Sequence, residues 1–140
     1  MKYRSVIDMI GNTPLVDISV MSPNPRVEIW AKLEGNNPTG SVKDRIAKFM
    51  VEEAERSGRL KPGATILEPS SGNTGIALAM IGRLRGYRVK IVMPDAVSIE
   101  RTQLLEAFGA EIILSPGDLG SNGAVRMATE IRDANPDWVM

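Results

Sequence analysis

The sequence predicts an α/β fold in which a parallel sheet carries helices on both faces. From about residue 26 onward, short apolar runs alternate with longer stretches whose apolar residues recur at helical spacing, and each switch falls on a glycine, a proline or a capping residue. Strands separated by segments of that length pair in parallel through helical crossovers, which cover the sheet on two sides. Hydrophobic residues at 43% and charged residues at 24% suit a globular chain and argue against disorder.

The elements follow in order. Val27 to Glu34 (VEIWAKLE) alternates as a strand does. After the turn GNNPTG, Ser41 and Asp44 read as an S-x-x-D cap on a helix that buries Ile46, Phe49, Met50 and Ala54 and stops at Gly58. Next come a strand from Thr65 to Glu68, a helix from about Thr74 to Arg85 closed by Gly86, and a strand from Val89 to Met93. A helix from Ser98 to Phe108 closed by Gly109, a strand from Glu111 to Leu114 and a helix from about Asn122 to Ala134 complete the alternation. Trp138, Val139 and Met140 open one more strand. A domain rarely ends on a fresh apolar strand edge, so the pattern predicts a longer parent chain. Sheets of this kind take ligands at the carboxyl ends of their strands.

Absences narrow the chemistry. The 140 residues hold no cysteine and no histidine, which removes disulfides, thiolates, zinc sites and serine-histidine triads and leaves lysine, hydroxyls and carboxylates as nucleophiles. Lysine plus arginine equals aspartate plus glutamate at 17 each, so bulk charge gives no reason to expect nucleic acid or an anionic membrane. The apolar run Ile76 to Ile81 is far too short to span a bilayer. A soluble, cytoplasmic protein with a small-molecule partner is expected.

Three segments are candidates for chemistry. Lys43 falls in the opening turn of the first helix, where the positive end of the helix dipole and nearby Arg45 disfavour a cation and so favour a nucleophilic amine. A lone lysine there is more often an ordinary surface residue; its sequence context decides. EPSSGNTG, Glu68 to Gly75, joins a strand to a helix, where backbone N–H groups converge on an anion such as a carboxylate, unless Ser71 or Asn73 merely caps the helix. PGDLGSNG, Pro116 to Gly123, spaces its glycines by three, which is not a G-x-G-x-x-G fingerprint, and reads as a turn and helix start. Glu52 and Glu53 read as a solvated helix face.

The run KLEGNNPTGSVKDR, Lys32 to Arg45, resembles the lysine-attachment signature of the cysteine synthase and cystathionine β-synthase family: K-x-E, three residues, P-T-x-S, an aliphatic residue, then K-x-R. Lys32, Glu34, Pro38, Thr39, Ser41, Val42, Lys43 and Arg45 fill its fixed positions. EPSSGNTG matches a second family loop, with Ser70 in place of the usual threonine. IGNTPLV, KPGATILE, GIALAM and the stretch Met93 to Arg101 match as well, while Thr102 stands where a second arginine is frequent. Within the family the likeness is nearest to type B cysteine synthases and O-phosphoserine sulfhydrylases.

The resemblance implies pyridoxal phosphate as cofactor, held by Lys43 as a Schiff base, with Lys43 also removing the substrate α-proton. It implies that Ser70, Ser71, Gly72, Asn73 and Thr74 bind the substrate α-carboxylate and that Asn73 also hydrogen-bonds the cofactor's phenolic oxygen. Residues 40–140 would form the small three-layer αβα domain of a fold type II enzyme. Residues 1–39 would join the larger domain, whose remainder, with the phosphate loop and the ring-nitrogen partner, lies beyond residue 140. The implied reaction is β-replacement, forming L-cysteine from O-acetylserine or O-phosphoserine and a sulfur donor, by a homodimer when full length; the 140 residues alone are expected to be inactive. Cystathionine β-synthase is the alternative within the family, and a non-catalytic binding module the alternative outside it.

Overall fold

The computed structural model describes residues 2–140; Met1, the first residue of the expected 1–39 segment, lies outside them. After a 3-10 turn at Val6–Met9, the strands β1 (Leu15–Asp17) and β2 (Trp30–Lys32) pair antiparallel, with Leu15 opposite Lys32. The strand expected over Val27 to Glu34 is therefore shorter, and it stands apart from the parallel sheet. Its partner limits it: β1 is three residues long, and Pro14, which has no N–H, precedes it.

The remaining elements are α1 (Lys43–Arg56), β3 (Thr65–Glu68), α2 (Asn73–Arg85), β4 (Arg88–Pro94), α3 (Ile99–Ala107), β5 (Glu111–Ser115) and α4 (Gly120–Ala134). The strands β3, β4 and β5 pair in parallel in that order, with Ile66 opposite Val89 and Ile91 opposite Ile112. Val139 adds a parallel bridge to Ile66 on the free edge of β3, so the expected final strand begins there. Helix α4 starts two residues before the expected Asn122, following a 3-10 turn at Gly117–Leu119.

Alternation along the strands sorts the core into two layers. Ile66, Val89, Ile91 and Met93 pack toward α2 and Leu105 of α3, whereas Leu67 and Val92 pack against Ala124 and Ala128 of α4. Leu105 is completely buried and anchors α3, a burial worth about 2 kcal/mol. Helix α2 is buried over eight consecutive residues, Gly75 to Gly82, because the sheet lies on one side of it and α1 on the other. This is the expected α/β architecture, with a sheet between helical layers.

Of the stripe expected on α1 only Ala54 is buried. Ala47 and Val51 face the core with it, while Ile46, Met50 and Phe49 are exposed, Phe49 to 69%. The helix packs on α2 rather than on the sheet, and small side chains allow that close approach. The cap also differs: Val42 is the N-cap and caps with no side chain, while the Asp44 carboxylate accepts from the Thr39 N–H at 2.8 Å and from the Thr39 hydroxyl. Ser41 Oγ accepts the Lys43 N–H at 3.1 Å. Asp44 is fully buried, and Thr39 is the donor within its reach.

Candidate active site

The segment carrying the attachment signature is built around one buttress. Lys32 Nζ donates to the Thr13 carbonyl at 2.6 Å. Arg45 grips Glu34 with Nε at 2.8 Å and Nη2 at 3.1 Å and reaches the Thr13 hydroxyl at 3.0 Å. Asn37 donates to Glu34 at 2.9 Å and accepts the Gly11 N–H at 2.9 Å. The Arg45 and Thr13 bonds pull the Glu34 carboxyl down to about 2, so the buttress is charged throughout the neutral range. Lys32, Glu34, Thr39, Ser41 and Arg45 thus all serve the local fold. Among the described residues, Lys43 is the one polar side chain at a fixed signature position without a hydrogen bond or ion pair. Its side chain is half-buried at the first position of α1.

A second set of contacts sets the height of Lys43. Arg85 Nη1 lies 2.6 Å from Glu55 Oε2 and Nη2 3.2 Å from Glu52 Oε1, and the Tyr87 hydroxyl donates to Glu55 Oε1 at 2.8 Å. Burial, reinforced by Glu55, raises the Tyr87 phenol above its usual value and keeps it a donor. These bonds join the C-terminal ends of α1 and α2, so the two helices run side by side in the same direction. Lys43 lies twelve residues before Glu55, and Asn73 twelve before Arg85. That is about 18 Å of helix in each case. The two helix starts consequently share one level, at the carboxyl end of β3.

Between β3 and α2 the loop folds on Ser70. Its Oγ accepts the N–H groups of Gly72 and Gly75, each at 3.3 Å. A Cβ on Gly75 would lie 2.7 Å from the Ser70 carbonyl oxygen, so only glycine lets the helix start this close to the loop. The alternative of a cap by Ser71 or Asn73 does not hold: Gly72 is the N-cap, with no side-chain hydrogen bond. With the Gly75 N–H held by Ser70, the N–H groups of Asn73 and Thr74 are left for an anion, favoured by the helix dipole. Ser70, Ser71, Gly72 and Thr74 are half-buried and Asn73 is exposed.

The fold thus brings Lys43 to the same end of the molecule as the Ser70–Thr74 loop, on different elements. An unpaired amine on the same level as the open Asn73 and Thr74 N–H groups fits a carbonyl-bearing cofactor and the carboxylate of an amino acid. Sequence reasoning missed the supports, Thr13, Asn37, Glu55 and Arg85, which act across the chain and leave no local pattern. Glu68, the first residue of EPSSGNTG and the last of β3, has its carboxyl pushed up by burial immediately before the loop. Among the described residues there is no cluster of potential metal ligands and no helix long and apolar enough to cross a membrane.

Residues 6–140 match the family model described as pyridoxal-phosphate dependent enzyme, and the chain belongs to that family. Its relatives include cysteine synthase B of Escherichia coli, 55% identical over 87% of this chain and 40% of that protein. The solved cysteine synthase of Entamoeba histolytica superposes with a TM-score of 0.92 at 43% identity, over 99% of this chain and 42% of that one. The solved O-ureido-L-serine synthase gives 0.90 at 46% identity, over 97% of this chain and 43% of that one. The chain thus spans about two fifths of the length of these relatives. Its architecture is that of the fold type II pyridoxal-phosphate enzymes.

Proposed function

We propose that the protein containing this chain forms L-cysteine by β-replacement on an activated serine, O-acetylserine or O-phosphoserine, with a sulfur donor. The observation that carries this reading is the unpaired amine of Lys43, level with the open Asn73 and Thr74 N–H groups at the start of α2. Lys43 holds the cofactor covalently and takes the α-proton of the substrate. When bound, the cofactor supplies an electron sink for the charge that this proton leaves behind. Residues Ser70 to Thr74 bind and orient the substrate carboxylate, and the Asn73 amide donates to the cofactor's phenolic oxygen.

Residues 1–39 join a larger domain and residues 40–140 form the small one, in a cytoplasmic homodimer. Supporting this, Leu15 and Trp30 of the β1–β2 pair are more than half exposed. Apolar surface of that kind is characteristic of interfaces.

Borohydride reduction of the cofactor-loaded full-length protein, followed by peptide mapping, is expected to place the adduct on Lys43. An adduct on Lys32 or Lys48 would refute the assignment. Assays with sulfide and each of the two activated serines then identify the leaving group. Similarity to O-ureido-L-serine synthase favours a second reading, in which the nucleophile is an oxygen compound. Replacing sulfide by hydroxyurea in the same assay separates the two.

A further inference from the structure

The strands begin at the end of the sheet opposite the candidate active site, and a cavity of about 390 Å³ opens there. Thr65, Arg88 and Glu111, the first residues of β3, β4 and β5, all line it. Seven residues of β4 separate this edge from the other, about 20 Å of strand. Tyr87, Phe108 and Trp138 form part of its wall, three of the six aromatic residues in the chain.

Two of these rings are fixed from behind or above. Tyr87 is tied to Glu55, and the Lys90 ammonium stands 5.1 Å from the centroid of Trp138 while paired with Glu111. That pairing neutralises Lys90. Arg83 and Arg88 remain, and neither side chain has a hydrogen bond or ion pair among the described residues. The Arg83 side chain lies along Gly109, where an added Cβ would sit in ordinary contact 3.7 Å from its Cδ. An adjoining hollow beneath the same edge shares Arg88 and adds Arg59, Lys61 and Arg132 against one carboxylate, Asp137. In a chain whose charges balance at 17 each, this edge carries more cations than carboxylates.

We infer that this cavity binds a planar aromatic monophosphate at a site separate from the candidate active site. The aromatic wall offers faces and edges for a ring. Two unpaired guanidiniums match the charge of a phosphate monoester, about −1.5 to −2, better than that of a single carboxylate, and present the fork geometry that binds phosphate bidentately. The volume lies at the lower end of the range for small-molecule sites, about 300–1,000 Å³, which suits one mononucleotide and not a dinucleotide.

The test is calorimetric titration of the cofactor-loaded full-length protein with adenosine 5′-monophosphate, adenosine and inorganic phosphate at constant salt. Loading the cofactor first keeps the phosphate probe out of the cofactor's own site. One nucleotide is expected to bind per chain, with adenosine and phosphate each at least roughly tenfold weaker. Arg83→Gln and Arg88→Gln are each expected to weaken nucleotide binding by roughly tenfold or more, the loss of a charge-assisted hydrogen bond. Both should melt as the parent does, since neither side chain has a partner to lose. Absence of saturable nucleotide binding, binding unchanged in both arginine variants, or phosphate binding as tightly as the nucleotide would each overturn the inference.

Discussion

Arg45 meets Glu34 fork to fork, with Nε 2.8 Å from Oε2 and Nη2 3.1 Å from Oε1, and the pair ties the first turn of α1 to the loop that follows β2. Thr13 joins from the N-terminal segment, donating to Glu34 at 2.8 Å. Three separate stretches of chain thus meet beneath the turn that presents Lys43. Because the network is charged, its contribution to stability depends on pH.

The Glu34 carboxyl is lowered from 4.5 to about 2, chiefly by Arg45 and then by Thr13. A carboxylate whose folded value lies below its unfolded one contributes stability that is fully present above the unfolded value and lost as pH falls toward the folded one. Glu34→Gln, which imitates the protonated form, is therefore expected to melt below the parent at pH 7. The gap should hold down to about pH 4.5 and close toward pH 2. Paired melting curves across that range check this; a gap that does not narrow would place the stabilisation elsewhere.

Gly82 offers a test of packing against propensity. Glycine inside a helix costs about 1 kcal/mol relative to alanine, so propensity alone predicts that Gly82→Ala stabilises α2. A Cβ at that position would lie 2.3 Å from Cγ2 of Val89, a buried β-branched residue with little rotamer freedom. The overlap should win, with net destabilisation of about 1–3 kcal/mol in chemical denaturation. Val89→Ala in the same chain should relieve part of it, giving a double mutant less destabilised than the sum of its parts.

The region from Thr65 to Ala134 was legible because its signals are local. Gly86 and Gly109 adopt φ of 79° and 76° just past the ends of α2 and α3, as residues that stop helices do. The buried face of α1 was not legible. Two apolar stripes share that helix, and periodicity, which placed Ala54 correctly, cannot say that Ala47 and Val51 would be buried while Ile46, Phe49 and Met50 stay outside. Choosing between them requires knowing that the neighbour is another helix. Lys43 and the Ser70–Thr74 loop stood out as compact motifs. Their shared level could not be read, since it depends on Arg85 reaching Glu55 thirty residues earlier.

Ser70 is expected to act by positioning the loop. Its hydroxyl oxygen is engaged with the N–H groups of Gly72 and Gly75, so Ser70→Ala frees both and should cost about 1 kcal/mol of stability. In the full-length protein a loosened loop should raise KM for the amino-acid substrate several-fold with kcat nearly unchanged, and Ser70→Thr should restore it. A fall in kcat at constant KM would instead put the hydroxyl in the chemistry.

Lys43 is expected to separate function from fold more cleanly than any other residue of the signature. Replacing Lys32, Glu34 or Arg45 breaks structural bonds, so loss of activity there would be ambiguous. The Lys43 side chain has no bond to lose, and alanine is a better helix former, so Lys43→Ala should keep its stability within about 0.5 kcal/mol of the parent. Its activity should nonetheless fall by at least the 10²–10⁴-fold or so that a positioned base contributes. Lys43→Arg should be as inactive, because a guanidinium stays protonated and cannot act as nucleophile or base. Partial rescue of Lys43→Ala by added methylamine, with Lys43→Arg unresponsive, would identify the missing group as a free amine. Near-parental turnover by Lys43→Ala would remove Lys43 from the reaction and leave the signature with a purely structural role.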